Sequence, residues 1–162
     1  MPTSSGSIRR GMRQLYLIDT NVVSEARKKA KANSGVISFF ENAAATKSPV
    51  YLSVITVGEL RRGVDLIFHR GDKNQANLLE AWLADVLENF RGKILDFDTD
   101  ASQVWGRLRV PDPDHSIDKQ IAAIALINDL ILVTRNTADF KKTGVKLLNP
   151  FIEKPPETVG QD

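Results

Sequence analysis

Cysteine is missing from all 162 residues, and histidine occurs only at His69 and His115. Disulfides, thiolate nucleophiles, Cys-ligated zinc and iron–sulfur clusters are therefore excluded by inventory, and the chain suits a reducing cytoplasm. An excess of either charge is also missing. The 22 Lys and Arg face 20 Asp and Glu, a formal net of +2, so a case for nucleic acid must rest on local patches. No uninterrupted apolar run approaches the roughly 20 residues of a membrane span. The longest candidate, 121–133, is broken by Asn128 and Asp129. The opening residues carry Arg9 and Arg10 with no apolar stretch before Leu15, which fails as a secretory signal.

What remains is an ordinary globular composition, 42% hydrophobic and 26% charged, in one domain's worth of chain. The expected boundaries are a flexible tail over 1–13, a single domain over 14–151 and a loose tail over 152–162. Inside the domain, short apolar runs at 15–18, 50–53, 94–97 and 130–134 read as strands, and 145–148 as a further strand closing the sheet. Between them, 36–45, 56–66, 78–90, 101–108 and 117–128 repeat apolar residues at helical spacing, and 137–142 reads as a short helical turn. Polar or Pro-containing stretches at 47–49, 69–74 and 111–113 punctuate them. Strands of four or five residues alternating with helices predict an α/β fold with a parallel sheet covered on both faces.

In such a sheet ligands bind where strands end at their carboxyl edge. Four acids stand out there. Asp19 follows 15–18, Glu59 lies in LSVITVGEL, Asp118 opens IDKQIAAIALI, and Asp139 follows a buried strand in VTRNTADF. Taken singly, three of them read as helix caps or first-turn acids. Glu59 resists that reading, since Val54, Ile55, Val57 and Leu60 surround it and point it inward, and a buried charge needs a partner. Asp118 likewise begins an apolar helical face through Ile121, Ala122 and Ala125.

If the four converge with no Cys or His among them, their repulsion calls for a cation. Oxygen donors of this kind suit Mg2+ or Mn2+, whereas zinc prefers nitrogen or sulfur. A divalent ion there supplies an activated water and stabilises charge on a phosphodiester's leaving oxygen, which makes the site a hydrolase of phosphodiesters. Thr20 and Thr134 flank the acids at strand ends. Arg27, Lys28, Lys29 and Lys31, then Arg61 and Arg62, then Arg135 are the basic residues nearest in sequence that could hold a polyanion, although charge runs are commonly only solvated faces. His69 and His115 lie in polar loops and receive no role.

The segments LYLIDTNVVSE, LSVITVGELRRGV, IDKQIAAIALINDLILVTRNTADF and GVKLLNPF resemble, in order and spacing, the PIN-domain ribonucleases of the VapC and FitB type, from Tyr16 to Phe151. The resemblance implies a three-layer α/β/α sandwich with a central parallel sheet. It implies a Mg2+- or Mn2+-dependent endoribonuclease that acts as the toxin of a toxin–antitoxin pair. It also implies a homodimer, inhibited by an antitoxin in a heterotetramer or larger assembly that meets DNA only through the antitoxin. The family's acidic site, catalytic and metal-binding, maps onto Asp19, Glu59, Asp118 and Asp139. Thr20, Asn21, Thr134 and Asn136 map to supporting positions, and Arg61, Arg62 and Arg135 to possible RNA contacts. Two departures stand out. Asp114 precedes Asp118 as a spare third acid, and Lys119 and Gln120 stand where many relatives carry smaller or apolar residues, Lys119 being placed to contact RNA or to face water.

Three rival readings remain. One keeps the fold as a catalytically silent RNA- or partner-binding module, against which stand four acids whose repulsion would bring nothing. Another takes Asp96 and Asp98 in LDFDTD for an aspartate-nucleophile phosphatase motif, a segment that a strand followed by a helix cap explains as well. A receiver-like signalling domain would want paired acids after the first strand, where this chain has Asp19 followed by Thr20.

Overall fold

The computed structural model describes residues 14–152. The expected tail at 1–13 and all of the second tail except Ile152 lie outside the described residues. Five short strands form one parallel sheet: β1 (Tyr16–Ile18), β2 (Val50–Ser53), β3 (Ile94–Leu95), β4 (Ile131–Val133) and β5 (Leu147–Leu148), in the spatial order β3-β2-β1-β4-β5. The register pairs Tyr16 with Val50, Leu17 with Leu132, Leu52 with Ile94 and Leu132 with Leu147.

Seven α-helices connect and cover the strands among the described residues: α1 (Thr20–Ala26), α2 (Ser34–Ala45), α3 (Val54–His69), α4 (Lys73–Asn89), α5 (Thr99–Leu108), α6 (Ser116–Ile127) and α7 (Thr137–Phe140). Because successive strand residues point to opposite faces, β1 sends Ile18 into one core and Leu17 into the other. The first core joins Ile18, Leu52 and Val133 to Val22, Phe39, Leu60 and Leu83 of α1 to α4. The second joins Leu17 and Leu132 to Ala101, Ile121, Ile124 and Phe140 of α5 to α7. Helices on both faces of a parallel sheet make the expected three-layer sandwich. Among the described residues no helix is long and apolar enough to cross a membrane.

Several boundaries differ from the sequence reading, each for a local reason. Helix α3 starts directly after β2, because the Ser53 hydroxyl accepts from the Thr56 N–H at 3.0 Å, and it continues to His69. Asp72 then caps α4 through the Gln75 N–H, shrinking the expected 69–74 turn to Arg70, Gly71 and Asp72, with Gly71 at φ 89°. The strand expected over 94–97 ends at Leu95. Beyond it Phe97 leaves the sheet to pack edge-on against Trp105, and Asp98 caps α5 through the Ala101 N–H at 2.8 Å. That cap accounts for Asp98 of LDFDTD without a nucleophile. The turn expected at 137–142 divides into α7 and a 3-10 turn, Lys141–Thr143, ended by Gly144 at φ 79°.

For function the decisive feature is the strand order. The chain leaves β1 for β2 on one side and later returns to β4 on the other, so β1 and β4 form the switch point at which a crevice opens beyond the carboxyl ends of the strands.

Candidate functional site

Asp19 is the first residue beyond β1, and Thr134 the first beyond β4. The Asp19 N–H donates to the Val133 carbonyl at 2.9 Å, which fixes the two strand ends against each other. Asp19 is 4% exposed, and several neighbours hold its carboxylate. The Thr134 hydroxyl donates to Oδ2 at 2.8 Å, the Thr20 N–H to Oδ1 at 2.8 Å, and the Asn21 amide reaches Oδ2 at 3.4 Å. Thr134 Oγ1 in turn accepts from the Asn136 N–H at 3.0 Å and from the Asn21 amide at 3.3 Å. The Arg135 N–H donates to Asn21 Oδ1 at 3.1 Å. The four expected supporting residues thus have defined places. Thr134 and Asn21 touch Asp19 directly, and Asn136 braces Thr134. Thr20 contributes its N–H to Asp19, while its hydroxyl turns to Thr56 at 3.2 Å.

Glu59 lies in the second turn of α3, above a buried hydroxyl pair in which Ser53 Oγ donates to Thr56 Oγ1 at 3.3 Å. Asp118 stands in the first turn of α6. With Asp19, Asn21, Ile117 and Asn136 they line an open cleft of about 380 Å³ at the switch point. The expectation that Glu59 turns into the protein and that Asp118 starts a buried stripe is corrected here. Both side chains are half-buried, because an open cleft lies where apolar packing would otherwise continue. Asp139, on α7, is exposed and borders the adjoining hollow.

The electrostatics bind these acids into one unit. Burial pushes the Asp19 carboxyl above its ordinary range, against the Thr134 and Thr20 hydrogen bonds that lower it, and the Glu59 charge adds to the rise. Burial also raises Asp118, and the charges of Asp19, Asp139 and Glu59 each raise it further. Asp118 therefore feels the charges of carboxylates from three other stretches of the chain, with His115 acting in the opposite sense. Among the described residues no Lys or Arg pairs with any of the four. An oxygen-rich cluster with this uncompensated charge is a donor set suited to a hard divalent cation.

The basic residues are placed differently from the sequence reading. Arg61 faces away from the cleft, its guanidinium bonded to Glu80 of α4 at 2.7 and 3.2 Å and near Asp65 at 3.4 Å. It is engaged between helices, because residue 61 lies two places past Glu59 and hence on another face of α3. Arg62 is exposed. Arg135 lies over the Phe151 ring, 3.9 Å from its centroid, and 3.8 Å from Glu25. Lys28 pairs with Glu25 at 3.0 Å, and Arg27 lies over Trp82. Lys119 neither faces water nor reaches outward for RNA. It is 6% exposed, and its ammonium donates to the Asp112 carbonyl 3.7 Å from the Asp112 carboxylate, tying down the loop ahead of α6. The spare acid Asp114 is exposed, with its N–H donating to Asp112 Oδ1, and stays outside the cluster.

The sequence reading passed over His115. The residue immediately precedes α6, and its imidazole, Asp118 and Asp139 each offer a donor atom within 4.8 Å of the others. The acids therefore do have a nitrogen donor beside them. The signal was available, since 115 and 118 are three residues apart and such pairs share a helix face.

A family model described as PIN domain matches residues 16–146. Over 142 residues the chain is 34% identical to Toxin FitB of Neisseria gonorrhoeae and 32% identical to Plasmid stability protein StbB of Pseudomonas syringae, covering 85% of this chain and 99% of each relative. It is 30% identical to a VapC ribonuclease of Sinorhizobium fredii, over 85% of this chain and 98% of that protein. The crystal structure of FitAcB from Neisseria gonorrhoeae superposes with a TM-score of 0.73 at 32% identity, over 86% of this chain and 100% of that one.

Proposed function

The chain belongs to the PIN domain family, and we propose that it is the toxin of a toxin–antitoxin pair, an endoribonuclease that hydrolyses RNA phosphodiester bonds with a divalent ion, Mg2+ or Mn2+. The observation that carries the reading is the meeting of Asp19, Glu59 and Asp118 in one cleft, with Asp139 against Asp118, at the switch point of the sheet. Names of relatives supply the substrate class and the biological role: one is a VapC ribonuclease and another Toxin FitB.

Asp19, Glu59, Asp118 and Asp139 would hold the ion, which when bound supplies an activated water and neutralises charge on the phosphate. The chain's own residues supply position. Thr134 and the Thr20 N–H keep the Asp19 carboxylate in one orientation, and hydrogen-bond donors of this sort behind a ligating carboxylate are the outer support on which metal affinity depends. Asn21 links that carboxylate to the loop after β4. RNA would enter through the open cleft, and the exposed Arg62 on α3 is the cation proposed for its backbone. The cytoplasm, where RNA is available, is the proposed compartment.

The partners proposed are a cognate antitoxin covering the acidic cleft and a second copy of this chain, giving a homodimer and, with antitoxin, a heterotetramer or larger. DNA contact would come through the antitoxin alone. The solved neighbour titled "Structure of FitAB bound to IR36 DNA fragment", 30% identical with a TM-score of 0.73, supports such an assembly.

The test is cleavage of mixed RNA by the purified chain with Mg2+ or Mn2+, beside an EDTA control and an Asp19→Asn variant. Cleavage lost in both controls is the expected result. A folded wild-type chain that cuts no RNA with either ion would overturn the nuclease reading in favour of a binding module.

A further inference from the structure

We infer that His115 is a metal ligand in this chain, its imidazole joining Asp118 and Asp139 around one divalent ion and turning the site's preference from Mg2+ towards Mn2+. The inference rests on the metal-dependent reading above and adds a nitrogen donor to an otherwise all-oxygen set.

The geometry comes first. One donor atom from each of the three side chains lies within 4.8 Å of the other two. An octahedral ion with bonds of about 2.1 Å holds its donors roughly 3 to 4.2 Å apart, so small rotations close the ring. His115 and Asp139 are both exposed, so neither side chain is locked into the core. Among the described residues the His115 imidazole makes no hydrogen bond. It makes no capping bond to α6, and its nearest acid is Asp118, with Nδ1 3.8 Å from Oδ2, too long for a hydrogen bond.

The loop that presents His115 is anchored. Buried Lys119 reaches back from α6 to the Asp112 carbonyl and carboxylate, and the His115 carbonyl accepts from the Lys119 N–H at 2.9 Å. The imidazole therefore has a fixed origin beside Asp118. Lys119 is the residue that stood out in the sequence as unexpected, and anchoring the histidine loop gives it a purpose.

Chemistry then sets the selectivity. Mg2+ takes oxygen and gives up its waters reluctantly, whereas imidazole nitrogen suits first-row transition ions. Adding His115 to two carboxylates rewards Mn2+ without a matching gain for Mg2+. Asp118 lines the cleft with Asp19 and Glu59, and its carboxylate also lies within 4.8 Å of donor atoms of His115 and Asp139, which makes it the carboxylate common to both halves of the site.

The experiment titrates Mn2+ and Mg2+ separately into the metal-stripped full-length chain by calorimetry, and records pulsed electron paramagnetic resonance of the bound Mn2+. Wild type, His115→Gly, His115→Asn and Asp118→Asn are compared. Gly and Asn both accept the φ of 53° that residue 115 adopts, so the fold is retained, as circular dichroism will check. Expected are a nitrogen modulation on Mn2+ in the wild type, absent from His115→Gly, and a loss of Mn2+ affinity of about tenfold with Mg2+ changed by less than about twofold. The wild-type spectrum needs no variant, so a misfolded mutant leaves the question decided. Absence of nitrogen modulation, or Mn2+ affinity that His115→Gly leaves unchanged while Asp118→Asn abolishes it, overturns the role of His115 alone. Binding of neither ion by the wild type overturns the metal reading itself.

Discussion

Replacing Asp118 by Asn should make the metal-free protein more stable while removing its response to metal. The side chain is 28% exposed and makes no hydrogen bond among the described residues, so little is lost on neutralising it beyond a weak attraction to His115. What is gained is relief from three carboxylates. A donor oxygen of Asp139 lies within 4.8 Å, and two unit charges at that distance repel by about 0.9 kcal/mol even at the dielectric of water. Asp19 and Glu59 add to this from the more enclosed side, and roughly 1–2 kcal/mol in total is a fair expectation. For a domain of this size that is an increase in melting temperature of about 3–6 °C.

The assay is thermal unfolding of wild type and Asp118→Asn in EDTA, then with Mn2+. In EDTA the variant should melt higher. With Mn2+ the order should reverse, because an ion bound only to the folded state stabilises the wild type by mass action. The pH dependence has a definite sign. The carboxyls of Asp118 and Asp19 titrate higher folded than unfolded, so between the ordinary carboxylate value and the folded one the folded chain holds the extra proton. Stability of the metal-free wild type must therefore fall as pH rises through that window, and the gap to the variant must close as pH is lowered towards about 4. A variant that melts at or below the wild type in EDTA at neutral pH would refute the claim that uncompensated charge gathers around Asp118.

Thr134→Val removes the hydroxyl that donates to Asp19 and accepts from Asn21 and Asn136, and should lower Mn2+ affinity by about tenfold or more and stability by about 1–3 kcal/mol. Urea unfolding alongside metal titration checks both, and an unaltered affinity would show that Asp19 needs no orienting. Lys119→Met unlatches the loop at Asp112 and should weaken Mn2+ binding more than Mg2+ binding, at a stability cost of about 1–2 kcal/mol. Equal weakening of both ions would argue that the latch serves the fold and not His115.

Much of this architecture was legible because buried parallel strands advertise themselves as short apolar runs, as in LYLI, VYL and LILV. The edges were not legible to the same degree. Phe97 has the same apolar character as Ile94 and Leu95, and only the presence of Trp105 across the gap decides that it leaves the sheet. The acids could be found from their place after strands, since a carboxylate on an otherwise apolar helix has to face something. Which basic residues lie near them could not be found that way. Arg61 is adjacent to the cleft in sequence but on another face of α3, and its ion pair with Glu80 depends on how α4 packs, a contact 19 residues away. His115 and Lys119 were misjudged for the opposite reason. A loop histidine and a helical lysine look solvated until the return of α7 sets Asp139 beside one, and the fold of the preceding loop buries the other.

These placements together explain why the cluster can exist at all. Four like charges would disperse if each stood on a mobile loop, since every one would gain by moving into water. Here Asp19 is fixed by the β1–β4 seam, Glu59 by a helix that starts without a connecting loop, and Asp118 by a helix packed into the second core. The cores on the two faces of the sheet thus press the acids together from opposite sides, with α3 carrying one and α6 the other. Only Asp139 and His115 stand on short or exposed segments, so they are the members that can adjust when a cation arrives. A rigid half and an adaptable half meet at Asp118, and for that reason its neutralisation should stabilise the empty fold and remove its response to metal in the same step.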